Sequence, residues 1–157
     1  MASQVPGTGL RLAQLGTRVS KDTGTLTAAT VTLFTVAGGE CLITSMYGLV
    51  TVSITVANSY YLQLAPTTGQ TAQLCTSLDL GTTDTTAGGL LTFGLGSTTV
   101  PPKLMSPSTA AGGYGQALPP TPVTTGNIQH VSAGTDGKIT WVLTYIPLTD
   151  GASIVAA

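Results

Sequence analysis

Charge is what this chain has least of. Asp, Glu, Lys and Arg make up 7% of its 157 residues and the formal net charge is -1, where an ordinary globular protein is about 25% charged. A nucleic-acid partner is the first class this disfavours, because neutralising phosphates takes clustered Lys and Arg. The five basic residues, Arg11, Arg18, Lys21, Lys103 and Lys138, are spread along the chain, and the three near its start make only a weakly basic segment. Histidine and cysteine are scarce too: His130, Cys41 and Cys75 are all there is. That rules against a nitrogen and sulfur metal site, and two cysteines do not make a disulfide framework. In a reducing compartment they read as small buried hydrophobes. No apolar run approaches the roughly twenty residues that span a bilayer. The opening "MASQVPGTGLRLAQLG" has no continuous apolar stretch behind a basic one, so no membrane partner or signal peptide is expected, and synthesis in a cytoplasm is.

Catalytic signals are equally thin. No Gly-x-Ser-x-Gly elbow is present, and the glycine-rich stretches "GGLLTFGLG" and "AAGGYGQ" lack the Lys-Ser/Thr that completes a phosphate loop. The acids Asp22, Asp84, Asp136 and Asp150 stand beside Gly or Thr, where an Asp side chain bonds nearby backbone N–H groups. Asp79 before Gly81 and Glu40 after Gly38-Gly39 read the same way. His130, between Gln129 and Val131, reads as a histidine on the polar edge of a strand. Tyr60 and Tyr61 are neighbours and point to opposite faces of one strand, so at most one of them joins a sugar-binding platform. The expectation is no enzyme, no cofactor and no metal.

What the chain does have is threonine, thirty of them, with 20 glycines and 42% apolar residues. Threonine is stiff at χ1 and sits well on a pleated, half-exposed surface. Composition and length together predict one all-β domain, an antiparallel sandwich or barrel, able to bury a sizeable core. Period two then locates strands. "LVTVSITVA", residues 49 to 57, places Val50, Val52, Ile54 and Val56 on one face as core. "VTLFTVAGGECLITSMYG" reads as strands over 31–36 and 40–47 joined in a tight hairpin at Gly38-Gly39, and "YYLQLAP" at 60–66 completes an antiparallel meander with them. Further strands are expected near 71–78 and 89–95. "NIQHVSAGTDGKITWVLTYIPL" reads as a second hairpin, 128–132 against 138–146, turning on Asp136-Gly137. There Ile139, Trp141, Leu143 and Tyr145 form the core face, and Val142 and Ile146 lend the other face enough apolarity to be half covered.

Two stretches depart from this pattern. Residues 1 to 16 read as an extended N-terminal arm ahead of a domain over 17–157, with "TGLRLAQLGT" as the sole helical candidate on Leu10, Leu12 and Leu15. Residues 97 to 127 hold six of the nine prolines, too many for a ladder or helix, so they form a long loop or a second arm.

"LFTVAGGECLITSMYGLVT" and the closing "GKITWVLTYIPLTDGASIVAA" together resemble small virion structural proteins of tailed bacteriophages. They share a strand, a Gly-Gly turn and a second strand, then an aromatic strand, Pro-Leu and an Asp-Gly-Ala-Ser tail. The resemblance covers about a third of the chain, leaves 97–127 without a counterpart, and its motifs are structural. It implies a capsid decoration, or cement, protein. Such a protein binds major capsid subunits on the outside of the head in many copies, often as a homotrimer, and is located in the virion after synthesis in the host cytoplasm. On that reading Leu10, Leu12 and Leu15 of the arm, and Ile154 and Val155 of the tail, form the partner interface; the competing reading has the tail capping the chain's own core. A tail or head-fibre component that binds a host surface glycan is the alternative function.

Overall fold

A computed structural model describes residues 9, 12, 14–94, 101–106, 118 and 120–157. Among the described residues twelve strands form two sheets in which every strand pair is antiparallel, an all-β sandwich. In chain order they are β1 (Thr17–Asp22), β2 (Thr30–Ala37), β3 (Cys41–Val52), β4 (Ser59–Pro66), β5 (Ala72–Gln73) and β6 (Leu78–Asp79). Then come β7 (Leu90–Phe93), β8 (Leu104–Met105), β9 (Thr121–Val123), β10 (Gly126–Ser132), β11 (Lys138–Pro147) and β12 (Ser153–Ala156). Sheet A runs β1-β11-β3-β7-β8, with β9 also on β3; sheet B runs β12-β2-β10-β4-β5, with β6 also on β4.

The chain changes sheet between β1 and β2, β2 and β3, β3 and β4, β6 and β7, β9 and β10, β10 and β11, and β11 and β12. β2 pairs with β10 and β12, and β3 with β11, β7 and β9, so the Gly38-Gly39 turn carries the chain across the core from one sheet to the other. It is an arch and not the expected hairpin. The Asp136-Gly137 turn is an arch as well, from β10 in sheet B to β11 in sheet A, and the expected meander of β2, β3 and β4 is likewise split between sheets. The turn chemistry was still the right kind. Gly38 and Gly39 have φ of 75° and 141°, a region L-residues avoid, and a side chain at Gly38 would run into the Gly151 carbonyl. The φ of Gly137 is 79°, and Asp136 ties its arch down through its side chain. Asp136 Oδ2 accepts from the Thr55 amide at 2.8 Å, the Thr55 hydroxyl at 2.8 Å and the Val56 amide at 3.2 Å.

Two bulges set which residues of β3 face inward. Opposite β11, Thr44 and then Thr51 are the extra residues of the register, and an extra residue inverts the alternation beyond it. Cys41, Ile43, Met46 and Val50 are buried, while Val52 is 51% exposed. Ile54 returns to the core through a two-way bridge with Thr85, at 2.9 and 3.0 Å. Val56, 49% exposed, lies where Asp136 holds the chain as a loop. Val50 and Ile54 are thus core as expected and Val52 and Val56 are not. The core face of β11 is as expected: Ile139, Trp141, Leu143 and Tyr145 are all buried. The strand expected at 71–78 is broken into β5 and β6, because between them the Leu62 amide donates to Cys75 Sγ at 3.3 Å instead of to a carbonyl. Both cysteines are buried and unpaired.

The tail answers its own question. β12 pairs with β2, Ile154 opposite Val36, and Ile154 is 2% exposed. It caps the chain's own core and is no partner contact. Lys21, on the inward side of edge strand β1, donates to the Ala157 carbonyl and so clips the edge of sheet A to the edge of sheet B; inward charges on edges also discourage strand addition.

Candidate interaction surfaces

The groups that carry most chemistry meet in the interior and are sealed there. Tyr60 of β4, His130 of β10 and Trp141 of β11 are at most 1% exposed. Trp141 Nε1 donates to Tyr60 Oη at 2.7 Å, the two rings lie 6.2 Å apart and nearly parallel, and the His130 ring leans on Tyr60 at 5.4 Å. Neither ring nitrogen of His130 has a hydrogen-bond partner. His130 is therefore a core histidine and not the strand-edge residue expected: its place in β10 is in phase with Ile128 and Ser132, which face inward. Burial disfavours the imidazolium and brings its pKa down to about 4. Burial likewise raises the Cys75 thiol to about 11, which leaves it inert at neutral pH.

Asp22, Asp79 and Asp136 hold turns through their carboxylates. Asp79 Oδ1 accepts from the amides of Asn58, Gly81 and Thr82 at 2.9, 3.1 and 3.2 Å, and with the Thr82 hydroxyl on Oδ2 these bonds bring its pKa down to about 2. Among the described residues no three of His, Cys, Asp and Glu gather as metal ligands, and no helix is long and apolar enough to cross a membrane.

The outer faces of the sandwich are where a partner would meet the chain. On sheet A, rows cross the strands in register: Leu42 beside Ile146, Val142 between Tyr47 and Ser20, and Leu49 between Thr140 and Leu90. Val142 is 4% exposed and Leu49 36%. Arg18 is a charged residue of this sheet's edge strand, Lys103 stands exposed just before β8, and at one end of the face Lys138 Nζ stands 3.8 Å from Asp22.

The N-terminal segment sits at the opposite end. Gly9, Leu12, Gln14 and Leu15 are helical, in line with the leucine spacing and not with an extended arm. The Gly16 amide closes the turn on the Leu12 carbonyl at 3.0 Å, and the hydroxyl of the bulge residue Thr44 donates to the Leu15 carbonyl at 2.6 Å. Beneath the turn, Leu12, Gly16, Thr17, Tyr145, Ile146 and Pro147 line a groove of about 310 Å³. Of the expected partner residues, Leu12 and Leu15 are 57% and 52% exposed here, and Leu10 lies outside the described residues. Leu148, 52% exposed, follows the Pro147 that lines the groove; period-two reading stopped at the strand and missed it.

The outer face of sheet B has another chemistry. Thr32, Gln129, Gln63 and Gln73 stand in register across four strands, and Val155, Thr35, Asn127 and Ala65 form a second row. Gln63 Nε2 donates to Gln129 Oε1 at 2.9 Å, and the Thr35 hydroxyl to Asn127 Oδ1 at 3.2 Å. Val155, expected at an interface, is 51% exposed on this face.

Comparison with family models, curated proteins and solved structures found no match to this chain.

Proposed function

We propose that this chain is a structural protein of a virus particle, a decoration protein that stabilises the outer surface of a bacteriophage capsid by binding major capsid subunits. The observation that carries the reading is the exposed Leu12–Leu15 turn over an apolar groove, on a sandwich almost without charge. A leucine turn fixed to the sandwich by Thr44 presents two large apolar side chains at little ordering cost, and burying each against a partner is worth about 1.5 to 3 kcal/mol. Scarce charge gives little repulsion between copies. Several copies acting together, in the homotrimer that the resemblance implies, raise avidity through effective concentration without new contacts. A protein that binds only the expanded shell shifts the shell's equilibrium toward that form. The role needs no catalytic group, and the buried Tyr60, His130 and Trp141 supply none to the surface.

The test adds the full chain, and a Leu12→Asp/Leu15→Asp variant, to purified expanded heads lacking the protein, and images the particles by cryo-electron microscopy. Regular density on the outside of the head with the native chain, lost with the variant, is the expected result. Bare heads with the native chain, or equal decoration by both proteins, overturns the reading.

A further inference from the structure

We propose that the outer face of sheet B binds a neutral polysaccharide with an extended, equatorially linked backbone, its amide rows gripping the sugar hydroxyls. The first argument is charge. Strands β12, β2, β10, β4 and β5 contain no Asp, Glu, Lys or Arg, the Asp79 carboxylate of β6 is tied to Asn58, Gly81 and Thr82, and His130 points into the core. An anionic chain finds no cation here, and an apolar partner would strip the amides of water without replacing the lost bonds. A protein partner of the ordinary kind would meet few of the aromatic, Met and Arg anchors that interface cores favour.

Spare hydrogen-bonding capacity is the second argument. A primary amide has two donors and an acceptor with two lone pairs. The Gln63 to Gln129 bond uses one donor of the first and one lone pair of the second, which leaves the Gln129 NH₂ and the Gln63 carbonyl for a ligand. Asn127 keeps its NH₂ in the same way while Thr35 bonds its carbonyl. Each bonded pair so presents a donor beside an acceptor, the pattern that a pair of neighbouring sugar hydroxyls complements.

Spacing is the third. Strands recur at about 4.8 Å across a sheet, so the Thr32, Gln129, Gln63 and Gln73 row repeats at about the length of one pyranose unit over four strands. Tyr61, half-buried, precedes Gln63 by two residues on the same side of β4, since Tyr60 faces the core. Tyr61 packs in part against the core, and the part of its ring left exposed offers the apolar face of a pyranose a surface to stack on. This surface is separate from the Leu12–Leu15 turn, so glycan binding stands or falls independently of capsid attachment.

Titration calorimetry of the native chain with cellohexaose, mannohexaose and xylohexaose, and with hexagalacturonate as the anionic control, tests this. At least one neutral oligosaccharide should bind and hexagalacturonate should not. Gln129→Ala and Tyr61→Ala should each weaken binding about tenfold, the loss of one buried hydrogen bond or stacked ring. Their melting temperatures should stay within a few degrees of the native value, and Leu12→Asp should bind like the native chain. No binding of any neutral probe at millimolar concentration overturns the proposal, as does tighter binding of hexagalacturonate or binding unchanged in both face variants. A concentration-dependent dimer that Gln129→Ala abolishes would replace the sugar by a second copy of the chain.

Discussion

The two outer faces of this sandwich are built from strands of the same period over one core, yet they differ in what they offer. Sheet A presents Leu42, Tyr47, Leu49 and Ile146, with a leucine turn fixed at one end, and it is the sheet whose central strand carries two bulges. Sheet B presents threonines and amides in register across four strands, with the extra residue Leu33 of β2 lying between the two rows. The difference teaches that the inward residues determine whether such a chain folds, while the outward residues are free to specialise. An apolar outer face with an anchor suits a protein partner, and a neutral hydrogen-bonding face suits a sugar.

The largest expected effect strikes both faces at once. Trp141 comes from sheet A and rests on Tyr60 of sheet B, so Trp141→Ala should cost about 3 to 5 kcal/mol in chemical denaturation and leave Tyr60 Oη without its donor. A cost near zero would mean that the sheets do not share this contact and can be treated as separate units.

Acid probes the same seam from sheet B. The folded pKa of His130 is about 4, below the ordinary 6.5, so between these values the unfolded chain binds the extra proton and stability rises with pH. The contribution is fully present above about pH 6.5, falls as the pH drops toward 4, and totals on the order of 3 kcal/mol. Asp79 adds a second loss, beginning below its ordinary 3.8 and continuing to about 2. Urea unfolding across pH 3 to 8 should show the first loss in the native chain and a flatter profile in His130→Phe. An unchanged profile in the variant would assign the acid sensitivity to the carboxylates.

The smallest effect sharpens the boundary between inside and outside on β3. Val50→Thr buries a hydroxyl and should cost about 1 to 3 kcal/mol, whereas Val52→Thr, two residues on, should stay within about 0.5 kcal/mol. Equal costs in thermal unfolding would remove the bulge at Thr51 from the account.

Those two valines also mark how far the sequence could be read. Period two identified Val50, Ile54 and the whole inward face of β11, since alternation is a local property of an extended chain. It failed at Val52 and Val56, since one extra residue inverts the phase and a carboxylate from 80 residues away removes a loop from the ladder. His130 was misplaced for a related reason. A lone histidine beside Gln129 reads as the polar edge of a strand, and only the packing of Tyr60 and Trp141 makes the core its place. On the candidate surfaces, Leu12 and Leu15 were legible because leucines at helical spacing near a chain's start are unusual in a threonine-rich β protein. The amide rows were not, because Gln63, Gln73 and Gln129 become neighbours only through pairing.

By itself the sequence determined the class: all-β, poor in charge, with turns at Gly38-Gly39 and Asp136-Gly137 and a core on Trp141. Tertiary structure decided which sheet each strand joined, and so made both turns arches, put Ile154 in the core and aligned the amides. The physical reason is that turn residues fix local φ and ψ, whereas a strand's partner is chosen by burying its apolar face and satisfying its backbone hydrogen bonds. Both depend on residues far along the chain.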